Sequence, residues 1–133
     1  MKSRRNANSV VSANDARSLA RLYYELAGSI GKYRFDNWHK LSPSERGDLE
    51  SLEWTLLTFS SDMTSRAIIF DLSEARSALR EITAATKRLK QSIARLNDVR
   101  DVIRAATKAV TLAAAIFSGN AEAVASAVAS ATD

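Results

Sequence analysis

From Leu72 to Phe117 the apolar residues fall at alternating steps of three and four, a spacing that restricts this chain more than any other feature. Leu72, Ala75, Leu79, Ile82, Thr86, Leu89, Ile93 and Leu96 form an a/d heptad seam, the pattern that packs one helix along another. At Leu96 the step of three is repeated, to Val99, and the alternation resumes through Ile103, Ala106, Val110, Ala113 and Phe117. A repeated three is a stammer, which overwinds a seam locally without requiring the helix to end. No proline or glycine interrupts the stretch. It predicts a single helix over 66–117, about 46 to 52 residues and roughly 70 Å long.

The remaining elements follow from caps and shorter periodic runs. Residues 1–13 are small, polar and basic and read as a flexible tail. Asn14 or Asp15 can cap a first helix over about 14–31, whose apolar face is Leu19, Leu22, Tyr23, Leu26 and Ile30, with Gly28 and Gly31 weakening its last turn. The aromatic and basic segment 32–40 then reads as a connector, with Phe35 and Trp38 plugging the end of a bundle. Ser42, Pro43 and Glu45 spell a capping box with proline at the first helical position, and Leu41 precedes it as a hydrophobic staple. The helix they open, about 43–62, carries Leu49, Leu52, Leu56, Phe59 and Met63, with Trp54 and Leu57 broadening its buried face. A turn is expected between Met63 and Ile68, with entry to the long helix near residue 65 or 71. Ser118, Gly119 and Asn120 mark a stop and a restart, and a short alanine-rich helix follows over about 120–131.

The expected fold is therefore all-α: a flexible tail and one helical domain, 14–133, built as an up-and-down bundle with one long helix and a short C-terminal hairpin. Its packing seam is Leu72, Leu79, Ile82, Leu89, Ile93, Leu96, Val99 and Ile103. Two first helices of about 25 to 30 Å cover less than half of a 70 Å helix if they lie side by side, and a second copy of the chain is then expected to cover the rest; laid end to end they nearly match it, with the aromatic connector spanning the junction.

Charge is unevenly distributed. The helix after Pro43 carries Glu45, Asp48, Glu50, Glu53 and Asp62 against Arg46 alone. Residues 76–108 carry nine cations, Arg76, Arg80, Lys87, Arg88, Lys90, Arg95, Arg100, Arg104 and Lys108, against Glu81, Asp98 and Asp101. The acidic helix is expected to lie beside the basic one and neutralise it; the competing explanation is an anionic partner, with Arg100, Arg104 and Lys108 as its patch. The overall formal charge of +4 is modest for a nucleic-acid binder.

Chemistry finds little to work with. The chain has no cysteine and one histidine, His39, so thiol catalysis, thiolate zinc sites and histidine-rich metal sites are excluded. No catalytic constellation is visible, and neither an enzyme nor a cofactor is expected. No signal peptide or membrane-spanning run is recognised, which makes the cytoplasm the default location, with peripheral membrane association or leaderless export as alternatives. The apolar C-terminal pair of helices supplies candidate membrane contacts, Val110, Leu112, Ile116, Phe117, Val124 and Val128. One long helix bearing an apolar hairpin resembles, in layout alone, the α-helical pore-forming toxins, and that resemblance implies membrane activity. The leading expectation is a non-enzymatic protein that assembles or interacts through helix packing, with a protein partner or itself; a membrane-active protein is the alternative.

Overall fold

The computed structural model describes residues 9–10, 12–65, 69–70 and 75–131. Among these the fold is all-α, with helices α1 (Ala13–Asp36), α2 (Pro43–Ser65), α3 (Ala75–Arg95), α4 (Val99–Ser118) and α5 (Ala121–Ala131), and a single 3-10 turn over Trp38–Lys40. Two two-residue strands, β1 (Ser9–Val10) and β2 (Ile69–Phe70), pair antiparallel, with Ser9 opposite Phe70. Ile69 and Phe70 thus close a bridge with the tail instead of leading into a helix.

Most helix ends are set by side-chain caps. Ser12, not Asn14 or Asp15, caps α1, its hydroxyl accepting the Asp15 N–H at 3.2 Å. At α2 the capping box forms as the sequence predicts: the Ser42 hydroxyl accepts the Glu45 N–H at 3.1 Å, and a Glu45 carboxylate oxygen accepts the Ser42 N–H at 2.8 Å. Gly119 takes the left-handed conformation (φ 69°) that closes α4, and the Asn120 side chain accepts the Ala123 N–H at 3.0 Å to open α5.

The first helix runs five residues past Gly31. Glycine costs a helix about 1 kcal/mol relative to alanine, but Gly31 lies against α2, where an added Cβ would stand 2.7 Å from Glu53 Oε2. The Arg34 guanidinium, one turn on, holds the same Glu53 at 2.6 Å. Packing against α2 outweighs local propensity there.

The single helix over 66–117 is replaced by two. At the repeated step of three the chain turns through Leu96, Asn97 and Asp98. The Leu96 N–H closes α3 on the carbonyls of Ser92 and Ile93, and the Asp98 carboxylate caps α4 by accepting the Arg100 N–H at 2.8 Å. A helix of ~70 Å would leave much of its seam in water, whereas folding it in half buries the two halves against each other. The seam survives unequally. In α3, Ile82, Thr86, Leu89 and Ile93 are buried as the heptad requires, while Leu79 and Leu96 are half-buried. In α4 the seam residues Ala106 and Ala113 are buried, but the buried face widens to Val102, Ala109, Leu112 and Ile116, and Val99 and Ile103 are only half-buried. Leu72 and the entry at 66–68 and 71–74 lie outside the described residues.

The helices form a four-cornered arrangement. Neighbouring interfaces are α1 with α2, α2 with α4, α4 with α3 and α3 with α1, and α5 covers α3 and α4. Contacts of Glu25 with Lys90 and of Tyr33 with Asn97 show that α1 and α3 run parallel. The end of α2 and the start of α3 therefore belong to opposite corners of the bundle. Along the other diagonal the buried Tyr23 hydroxyl of α1 donates to the Ala109 carbonyl of α4 at 2.9 Å. Burial pushes this phenol far above its ordinary pKa, which the neighbouring Thr86 hydroxyl only partly offsets, so it stays neutral and a donor. Phe59 of α2 stacks on Phe117 of α4 with ring centres 6.0 Å apart.

Two tests follow from these contacts. Leu89→Asp places a carboxylate in the core at a cost of about 3 to 5 kcal/mol, comparable with the whole stability of a small domain, while Arg88→Asp at the exposed neighbouring position should change stability by about 0.5 kcal/mol or less. Equal melting temperatures would refute the assignment of the buried face. Gly28 has open space where a Cβ would go, so Gly28→Ala should stabilise by up to ~1 kcal/mol in denaturant titration. Gly31→Ala should gain less or lose stability because it displaces Glu53; equal gains would overturn the close approach.

Candidate functional site

The expected neutralisation of the basic stretch by the acidic helix is confined to its second half, where the charge of Glu45 in α2 acts on Arg100 of α4, and does not extend to α3. α2 packs on α1 and α4, so α3 stands diagonally across the bundle from it. Of the described α3 cations, Lys90 is paired with Glu25 of α1 at 2.7 Å, and Arg80, Lys87, Arg88 and Arg95 face solvent. Hydrogen bonding from Lys90, then its charge, holds the Glu25 carboxyl below the usual range.

The patch Arg100, Arg104 and Lys108 stays together on α4, but two of its members have local partners. Arg100 meets Asp98 at 3.4 Å and Arg104 meets Asp101 at 3.1 Å, all largely exposed. The Arg100 backbone N–H, and after it the guanidinium, lowers the pKa of Asp98. Such surface pairs contribute little to stability, yet they soften the positive field expected there.

The candidate membrane contacts are largely spent inside the molecule. Leu112, Ile116 and Val124 are buried, and Val110, Phe117 and Val128 are half-buried against the same core. No helix among the described residues is long and apolar enough to cross a membrane. The layout shared with pore-forming toxins rested on one long helix, which the chain does not have.

The exposed apolar surface is elsewhere. Phe35 is 80% exposed and does not plug the bundle; Trp54 is 63% exposed instead of broadening a buried face; Tyr24 is 64% exposed. On α1, Tyr24, Gly28, Gly31 and Phe35 follow at steps of four, three and four and so share one side of the helix. Glu53 covers Gly31, which places α2 along the edge of this stripe. Trp54, the next residue, points away from the core positions Leu49, Leu56 and Met63. Three large aromatics thus stand on the outward face of the α1–α2 pair. Trp38 lies at the tip of that pair, with the Arg46 guanidinium 4.3 Å from its ring centre and bonded to its carbonyl. Position in the wheel could have flagged Phe35 and Tyr24 as outward; Trp54 could not be placed without knowing which side of α2 meets α1.

His39 sits in the exposed 3-10 turn. Among the described residues no three His, Asp or Glu side chains converge as a metal site would require. Comparison with protein-family models, curated proteins and solved structures finds no match to this chain.

Proposed function

We propose that this chain is a non-enzymatic helical interaction protein that works by helix packing, and that a second copy of itself docks on the outward face of α1 and α2. The observation that carries this reading is the grouping of Tyr24, Phe35 and Trp54, each mostly exposed, on that one face. Aromatics of this size bury about 150 to 250 Å² each and dominate interface energetics. Two adjacent helices of this length offer a face of about 36 by 20 Å, close to the ~800 Å² that each partner buries in a stable complex. A two-fold axis along the helices sets α1 of one copy against α2 of the other.

Light scattering at tens of micromolar should give a dimer mass, and Phe35→Glu with Trp54→Glu should give a monomer with unchanged far-ultraviolet circular dichroism. A monomer in the parent chain would overturn the reading. The membrane-active alternative needs Leu112, Ile116 and Val124 to leave the core, so neither co-sedimentation with anionic vesicles nor dye release should exceed background. Release that is lost on Leu112→Ser or Ile116→Ser variants that remain folded would restore that alternative.

A further inference from the structure

A second surface, separate from the aromatic face, lies on the other flank of α1. Where α1 and α3 run side by side their outer edges do not close, and four clefts of about 600, 490, 420 and 200 Å³ follow one another along the seam. Successive clefts share lining residues: Thr83 and Lys87, then Leu22 and Lys87, then Ser29 and Ala94. They form one groove running from Asp15 to Asn37, about 30 Å of helix. Between long charged side chains its walls carry short ones, Ser18 and Ser29 on α1 and Thr83, Ala84 and Ala94 on α3, with the half-buried Leu22 and Leu79 as apolar footholds. Small walls let another helix approach closely.

The rim is cationic. Glu25 and Asp36 are already held by Lys90 at 2.7 Å and Lys32 at 2.6 Å. Arg17, Arg21, Arg80 and Lys87 then line the groove with Asp15 as the carboxylate not held by a lysine; none of the four is in a salt bridge with a carboxylate among the described residues, though the charge of Arg21 also acts on Glu25. Like charges gathered around an open apolar seam are a cost that the isolated chain does not recover.

We infer that the α1–α3 groove receives an acidic amphipathic helix of a partner protein. The partner's apolar stripe would rest on Leu22 and Leu79, and its flanking carboxylates would meet Arg17 and Arg21 on one side and Arg80 and Lys87 on the other. The chain's own first eight residues carry Lys2, Arg4 and Arg5 and no carboxylate, the wrong charge for this groove. A nucleic-acid strand fits less well. Tyr33, the aromatic ring that lines the groove among the described residues, is half-buried with its hydroxyl bonded to the Asn97 carbonyl, so the groove has no row of rings on which successive bases could stack.

The test is fluorescence anisotropy on the full chain with a labelled synthetic helical peptide of about 20 residues, leucine and alanine at steps of three and four and glutamate on both flanks. A lysine-flanked version and a single-stranded RNA of similar length serve as competitors. The acidic peptide should bind, weaken about tenfold between ~50 and ~500 mM salt, and lose at least about tenfold in affinity for Arg80→Glu with Lys87→Glu. The lysine-flanked peptide should not bind. These two substitutions lie on α3, away from Tyr24, Phe35 and Trp54, so the dimer mass should be unchanged, and loss of the dimer in the Phe35 and Trp54 variants should leave peptide binding intact. Equal binding of both peptides, or affinity insensitive to the α3 charge reversal, would overturn the inference. Binding of RNA without the acidic peptide would replace the partner with nucleic acid.

Discussion

An apolar seam longer than the rest of the chain can cover has to fold back on itself, and the turn at Leu96, Asn97 and Asp98 is where this molecule meets that constraint. Doubling the seam converts one helix into α3 and α4, supplies two corners of the bundle, and gives α1 and α2 a surface on which to close. The turn is tied down on both sides, by the Asp98 cap on α4 and by the Tyr33 hydroxyl of α1, which donates to the Asn97 carbonyl at 2.9 Å. What would have been an unpaired stripe in water becomes the centre of the core.

The exposed surfaces follow from the same folding back. With α3 returned beside α1, the acidic α2 is left on the far diagonal, and among the described residues the cations of α3 find their one carboxylate partner in Glu25 of α1. Meanwhile α1 and α2, paired along their length, bury one side of each helix in the core and present the other to water. One flank of α1 thus borders an aromatic face and the other a basic groove, two surfaces whose chemistry suits different occupants.

Legibility in the sequence depended on how local the cause was. The Ser42 and Glu45 box, the glycine stop at 119 and the Asn120 restart are decided within four residues, and they could be read directly. So could the buried stripe of α3, where one heptad face meets one core. The end of α1 could not, because Gly31 is rescued by a helix that begins twelve residues later. The stammer at Leu96 was visible, but its outcome, overwinding or a turn, rests on tertiary burial; Asp98 followed three residues on by Asp101 was the capping signal to weigh against it. The face of α4 was legible only in part: Ala106 and Ala113 of the expected seam are buried, but a helix with neighbours on three sides buries a broad sector and not a seam. The placement of basic and aromatic surfaces was least legible of all, since it turns on which helices become neighbours across the diagonal.

The bond from Tyr23 to Ala109 has a consequence for how uniquely the bundle is assembled. The inner surface of α4 is largely alanine, and a smooth helix of small residues can slide past its neighbours by a turn, ~5.4 Å, with little change in buried area. A phenol buried among apolar side chains has no such tolerance: left without an acceptor its hydroxyl costs about 1 to 3 kcal/mol, more than slipping such a surface would otherwise cost. Tyr23 therefore acts as a detent against partial slides and rotations of α4 on α1, since only settings that bring a backbone carbonyl to the phenol satisfy it, and the larger buried side chains Val102, Leu112 and Ile116 choose among those settings.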